Sequence, residues 1–458
     1  MFASIRRRES LLLIGLLLSV LVALALPRLP REQRVMAAVF VLTVFYWVTE
    51  PMPIFVTAVI GAFLSALLLG PLARLVGTAP VDYAIFLSPF ASPVVVLLFG
   101  GFVLAHVFSK NNLDLEFCQT ILARLGSKPN RVLFGIMAIT ALMSMWMSNT
   151  ATTAILMAAV LPLVRAMPKD ANLARALLLA IPFSANIGGV ATPIGTPPNA
   201  IAVGLLAEEG THVSFLAWML AGFPVMMILL VLAYFLLRAF FPTKREHFSI
   251  AIDERPRVAN RSLIYATFFA TVLLWVTDWL HGIPSALIAL VPLAVFAAAG
   301  LVTRRLVREL SWDTLLLIGG GLSLGVGIKQ TGLADTVVAA CLPSGLHPLA
   351  GLALFSSLIA VVATFMSHTA ASNILLPLAL SVAGALPSRM AITVALCSSF
   401  GMALPISTPP NAIAYGSELI DARDMLRVGV LITVLGVVFT LAYEMLLFRL
   451  LPGLYAAH

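Results

Sequence analysis

Long apolar runs, separated by short polar breaks, recur from one end of the chain to the other. The runs are continuous rather than alternating with period two, which predicts helices and not barrel strands. Helices are expected at 11–27, 35–49, 53–70, 92–109, 213–240, 262–280, 284–301, 313–332 and 426–451. Two more start near 173 and 388 and break at 195–199 and 407–411, where Thr-Pro-Pro-Asn recurs. Two longer apolar units, 131–166 and 347–386, are each interrupted by a polar tip, Ser148-Asn149-Thr150 and Ser367-His368-Thr369. A run of about 18 or more apolar residues spans the hydrocarbon core, and a buried turn between shorter arms reads as a re-entrant hairpin. With both units folded back at mid-membrane, about 11 crossings remain. The expected fold is an all-α polytopic membrane protein of about 11 transmembrane helices plus two re-entrant helical hairpins.

Composition agrees: 61% of the 458 residues are hydrophobic and 10% charged, with mean hydropathy +1.04. A soluble globular chain does not carry so much apolar surface. The length therefore means one membrane domain rather than several soluble ones. The net charge of +8 sits mostly in short loops, so the positive-inside rule accounts for it without nucleic acid. With the N-terminus inside, Arg28, Arg31, Arg34, Arg74, Lys329, Arg389 and Arg449 fall outside; the other basic residues, Arg165, Lys244, Arg255 and Arg304 among them, fall inside. The Arg28–Arg34 cluster is the one local misfit. This places the chain in a bacterial-type inner membrane, with a cytoplasmic N-terminus and a periplasmic C-terminus. Arg6-Arg7-Arg8 before the apolar run at Leu11 mimics a signal peptide, but no small-residue cleavage site follows. The segment is read as an uncleaved first helix. Cys118, Cys341 and Cys397 lie far apart, against a disulfide framework or a zinc site.

The two halves echo each other. Leu97-x-Phe99-Gly100-Gly101, with Leu113 downstream, pairs with Leu317-x-Gly319-Gly320-Gly321 and Leu333. Ser148-Asn149-Thr150-Ala151 pairs with Ser367-His368-Thr369-Ala370, and Gly195-Thr196-Pro197-Pro198-Asn199 with Ser407-Thr408-Pro409-Pro410-Asn411. The spacing is nearly constant, so duplication explains it better than chance. An odd number of crossings between the hairpins inverts the copies, and broken helices at matching places of inverted repeats mark transporter substrate sites. The expected division is an N-terminal helix and loop at 1–34, a first repeat at 35–240 (hairpin 131–166, broken helix 173–209), a cytoplasmic linker at 241–261, and a second repeat at 262–458 (hairpin 347–386, broken helix 388–420).

These residue types suit ions. Ser, Asn and Thr cap helix N-termini, and the arm that follows each tip points its positive end back at it. That end attracts a carboxylate or another anion. Hydroxyls and carbonyls are hard oxygen ligands for a small hard cation. The paired prolines remove donors and free the carbonyls of 192–195 and 404–407, while Asn199 and Asn411 can cap the restart. The plain alternatives are intrahelical hydroxyl bonds at the tips and a structural kink at the prolines; duplication weighs against both. No Arg or Lys belongs to the expected site, so co-bound cations would offset an anion's charge. Lys329 near a helix end is expected to snorkel, and His106 and His212 to lie at interfaces. Gly321-Leu322-Ser323-Leu324-Gly325 fits a nucleophile elbow. It lies in an apolar Gly-rich helix, with no Asp or His to complete a triad, and reads as close helix packing. There is no H-E-x-x-H. The chain is not expected to be an enzyme.

The paired Ser-Asn-Thr and Thr-Pro-Pro-Asn motifs, with Asn186-Ile187-Gly188-Gly189 ahead of the first, resemble the divalent anion:sodium symporter family from about residue 35 to 450. The resemblance implies an eleven-helix fold, a homodimer, and a transport part that moves by an elevator motion against a scaffold. It implies Na+ as coupling ion, no organic cofactor, and a dicarboxylate or similar divalent anion as substrate. Carried over by position, Ser144, Ser148, Asn149 and the Gly195 backbone would hold a first sodium. The tip at Ser367 and His368 and the Ser407 backbone would hold a second. Asn149, Thr150, His368, Thr369 and the turn at Pro409 would meet the substrate. Two departures fall in the second site: His368 stands where the family has Asn, and Ala363 where it often has a hydroxyl, as Ser144 stands before Asn149. They leave open a proton in place of one sodium, or anion exchange without net cation coupling. A sulfate-type oxyanion also remains open.

Overall fold

The computed structural model describes residues 2–124, 128–165, 171–243, 260–343 and 346–451. Residues 244–259 of the expected linker at 241–261, Gly345 just ahead of the second interrupted unit, and the last seven residues of the chain, 452–458, lie outside them. Among the described residues there is no strand. The principal helices are α1 Phe2–Ala25, α2 Arg31–Thr49, α3 Ile54–Leu69, α4 Pro93–Lys110, α5 Leu113–Arg124, α6 Pro129–Ser144, α7 Asn149–Arg165, α8 Ala171–Gly189, α9 Pro197–Glu208 and α10 Phe215–Phe240. The second half holds α11 Arg261–Val276, α12 Leu290–Ala298, α13 Trp312–Gln330, α14 Leu333–Cys341, α15 Pro348–Phe365, α16 His368–Ser381, α17 Pro387–Ser398, α18 Pro409–Tyr415 and α19 Ala422–Leu450.

Five of the described helical segments are long and apolar enough to cross a membrane, Arg8–Ala25, Ala84–Lys110, Phe215–Phe240, Pro348–Phe365 and Ala422–Leu450. Shorter apolar helices include α3, α6, α7 and α11. The chain is thus a multi-pass, all-helical membrane protein. The arm α15 is itself 18 residues long, more than the short arm expected for a folded-back unit. The amphipathic helices α5 and α14, each following an apolar helix after a short turn, are absent from the hydrophobic reading.

Each polar tip falls where the sequence places it, between α6 and α7 and between α15 and α16. The two prolines of each break stand at the first positions of α9 and α18. Proline is tolerated there because that N–H has no helical acceptor. The packing is reciprocal. α6 and α7 pack with α8, and α15 and α16 pack with α17. α9 of the first half lies on α16 and α17 of the second, while α18 of the second lies on α7 and α8 of the first. α10 and α19 pack on each other, and the Tyr443 hydroxyl donates to the Leu220 carbonyl at 2.7 Å. Two glycines permit the tight seats of the hairpins. A Cβ at Gly188 would collide with the Ala141 backbone, and one at Gly401 would lie 2.8 Å from the Ala360 carbonyl oxygen. The halves therefore clasp each other at the tips and breaks, and this exchange brings the four motifs together.

Candidate functional site

Both tips and both breaks open on one cavity of about 250 Å³. Its wall includes Ser148, Asn149 and Thr150 from the first tip, Ser367, His368 and Thr369 from the second, Gly195 to Pro197 from the first break, and Ser407 to Pro410 from the second. Of the residues expected from sequence, only Ser144 does not line it. Ser144 lies one layer behind, fully buried, with its hydroxyl 2.6 Å from the Asn149 carboxamide and donating to the Ala185 carbonyl at 2.8 Å.

The end of the Asn149 side chain sits among oxygens: Ser144 Oγ at 2.6 Å, Ala185 O at 3.2 Å and Gly195 O at 3.2 Å. With the amide nitrogen turned inward, it donates to all three. With Oδ1 turned inward, it accepts from the Ser144 hydroxyl at 2.6 Å and faces the Ala185 and Gly195 carbonyls, whose mutual repulsion a cation would relieve. Carboxamide orientation follows from its partners rather than from shape, so this side chain can serve either state. A set of neutral and partly negative oxygens fits Na+, a hard cation, by the same logic that suits oxygen to Ca²⁺ and Mg²⁺.

The second tip is built differently. His368 Nε2 lies 2.9 Å from the Gly401 carbonyl oxygen, so the ring N–H is committed to a backbone acceptor. Ala363, in the place matching Ser144, is fully buried and brings no oxygen. The Ser407 hydroxyl donates to the Thr364 carbonyl at 2.6 Å and accepts from the Leu404 N–H at 3.1 Å. Of the second set, only carbonyls and the tip hydroxyls remain as hard ligands.

Asn199 and Asn411 do not cap the helix restarts. Asn199 Nδ2 donates to the Gly189 and Thr192 carbonyls at 3.0 and 2.8 Å. Asn411 Nδ2 donates to Met402 and Leu404 at 2.8 and 2.9 Å. Each side chain thus ties the two halves of its broken helix, and the Thr192 and Leu404 carbonyls, two of those expected to be free, are consumed. The cap at α18 is the Thr408 hydroxyl, which accepts from the Asn411 N–H at 3.2 Å.

Two further wall residues carry weight. Asn186 Nδ2 donates to Thr408 Oγ1 at 3.2 Å and Asn411 Oδ1 at 3.3 Å, joining the first half to the second break. Asp313, in the first turn of α13, also lines the cavity. It is the one Asp, Glu, Lys or Arg among the lining residues. Asn186 belongs to a sequence motif already noted; Asp313 resembled an ordinary helix-start acid, and nothing in the sequence separated it from one.

Comparison with known proteins agrees with this arrangement. Residues 44–388 match the family model described as citrate transporter. The chain is 30% identical over 418 residues to an uncharacterized transporter of Haemophilus influenzae, covering 86% of this chain and 87% of that one. It is 28% identical over 438 residues to the sodium-dependent dicarboxylate transporter SdcS of Staphylococcus saprophyticus, covering 86% and 82%. A Schizosaccharomyces pombe transporter is 29% identical across 90% of this chain, which spans 49% of that protein. Among solved structures, the Alcanivorax borkumensis YdaH transporter shares the fold at TM-score 0.57 with 14% identity, over 87% of this chain and 99% of that one. The family match and the relatives point to a transporter rather than an enzyme, and the chain belongs to the citrate transporter family, with sodium-dependent dicarboxylate transporters among the proteins it is similar to.

Proposed function

We propose that the chain imports a small dicarboxylate or similar divalent anion, coupled to sodium, by an elevator-type movement of the clasped hairpins against the rest of the protein. The observation that carries this reading is the meeting of both tips and both breaks at one cavity. The helices α7, α9 and α16 all begin at its wall. Their positive ends favour an anion there, each by about 0.3–1 kcal/mol, and α7 and α16 add free N–H groups that the paired prolines deny to α9. Among the described residues no Lys or Arg lines the cavity and Asp313 is its one acid, so a dianion needs accompanying cations. The oxygen set at Ser144, Asn149, Ala185 and Gly195 supplies a place for one. Asn149 touches both ligands in this reading, with Thr150, Thr369 and the Pro409 turn on the anion side. Ser148 and Ser367 supply tip oxygens.

A second reading is exchange of one dianion for another without net cation movement. The observation that favours it is the second tip, where His368 and Ala363 leave fewer cation ligands.

The test is uptake of labelled succinate by proteoliposomes, with and without an inward sodium gradient. The symport reading expects concentrative uptake that collapses without the gradient. Uptake that ignores sodium but requires dicarboxylate inside would establish exchange instead, and no saturable uptake of any dianion would end the transport reading. In the same vesicles, single cysteines at the exposed positions Asn130, in the first turn of α6, and His347, just before α15, report the proposed inversion of the repeats. They should react with an impermeant reagent from opposite sides; reaction from one side contradicts the inversion.

A further inference from the structure

A second cavity, of about 580 Å³, lies along the same three helices as the first. The first touches α13 at Thr314 and Leu317, α9 at Pro197 and α16 at His368 and Thr369. The second touches α13 from Gly325 to Gln330, α9 at Leu205 and Glu208, and α16 at Pro377, Leu380 and Ser381. Leu317 and Ile328 are separated by about 16 Å of helix rise. Between the two cavities the seam is shut. Leu322 packs on Gly204, Leu205 on Gly325, and Asn373 on Gly321.

The last of these contacts is unusual. Asn373 is fully buried, and neither Oδ1 nor Nδ2 has a hydrogen-bond partner. Its carboxamide presses against Gly321 so closely that a Cβ there would overlap it. Buried polar groups are normally satisfied, and an unpaired one penalises the state that holds it. Water entering from either cavity would relieve both atoms. The penalty therefore falls on the shut seam alone.

We propose that Asn373 is a positioning residue for transport: packed on Gly321, it keeps the shut seam from becoming too stable, and the seam opens toward the second cavity when the hairpin slides along the glycine face of α13. This rests on the transport reading above. Gly321 and Gly325, one helical turn apart, give that face the close contacts a sliding helix needs, Gly321 against Asn373 and Gly325 against Leu205 and Pro377. The first-half counterpart of Asn373 is Ala154, so the device belongs to the second hairpin alone.

The experiment uses Leu322→Cys as a reporter inside the shut seam, in full-length protein carrying Cys341→Ser, since Cys118 and Cys397 are buried. Labelling by a small charged methanethiosulfonate reagent reads opening directly. Asn373→Ala removes the unpaired amide, and labelling and maximal succinate uptake should both slow about five-fold or more, with KM nearly unchanged. Gly321→Ala should also lower maximal uptake, and Gly321→Ala with Asn373→Ala should recover part of it, because the second change makes room for the first. Wild-type labelling and uptake in Asn373→Ala overturns the proposal, whatever Gly321→Ala does to folding. A double variant no better than Gly321→Ala alone also counts against it. Slowed labelling in a protein that moves no dianion would leave the seam standing and remove the transport reading instead.

Discussion

Asn149→Ala is expected to weaken dicarboxylate and sodium together, each by about ten-fold or more. The side chain is the one residue placed between the two ligands in the proposed site. On one side lie Ser144 Oγ, Ala185 O and Gly195 O; on the other lies the cavity, at the start of α7. A hydrogen bond to a charged group contributes roughly 1.5–3 kcal/mol. Truncation removes that bond to the anion and one of four oxygens from the cation. The loss should therefore appear in both titrations of the purified protein, and sodium should no longer restore anion affinity at any concentration that saturates the wild type. Unaltered affinity for both ligands in a folded Asn149→Ala protein would remove this residue from the site. A loss confined to the anion would leave the cation elsewhere.

The second large effect concerns cation number. His368→Asn with Ala363→Ser should raise the sodium cooperativity of uptake from about one toward about two, since a Hill coefficient is bounded by the number of coupled sites. The change replaces a committed ring N–H with a carboxamide and adds the hydroxyl that Ser144 supplies in the first half. Serine is chosen over threonine because Gly401 packs directly on the Ala363 backbone. His368→Asn alone should give a smaller gain, because Ala363 still contributes no oxygen. Uptake measured against pH at fixed sodium separates the two roles of the histidine. If a proton replaces a sodium, wild-type uptake depends on pH and the double variant loses that dependence. The same sodium cooperativity and the same pH profile in both proteins would mean that His368 only holds the Gly401 carbonyl.

The tips and breaks were legible in the sequence because lipid makes them so. A Ser-Asn-Thr or a Pro-Pro in an apolar run has no use in a plain spanning helix, and its recurrence after one repeat length marks it twice. The reciprocal clasp gathers them, and every expected site residue except Ser144 lines the cavity. What escaped depends on geometry that residue type does not encode. Helices α5 and α14 are short and amphipathic, Leu113–Arg124 and Leu333–Cys341, so hydropathy passes over them. Asn199 and Asn411 are good capping residues by type, yet their reach takes them back to carbonyls seven to ten residues earlier, Gly189, Thr192, Met402 and Leu404. Asp313 satisfies the helix-start preference, and only the folded chain puts it beside the second tip's cavity. Asn373 stands in an apolar arm with no motif around it, and its unpaired amide is visible only once Gly321 lies against it.

The central claim is that anion and cation occupy one cavity and bind each other's site into shape. Linkage makes this measurable: if sodium raises succinate affinity by some factor, succinate must raise sodium affinity by the same factor. The direct measurement is a pair of equilibrium titrations on purified wild-type protein, succinate at several sodium concentrations and sodium at several succinate concentrations. The shared-site account predicts matched factors of about ten or more, corresponding to a coupling of about 1–3 kcal/mol. Succinate binding of the same strength with and without sodium would contradict it.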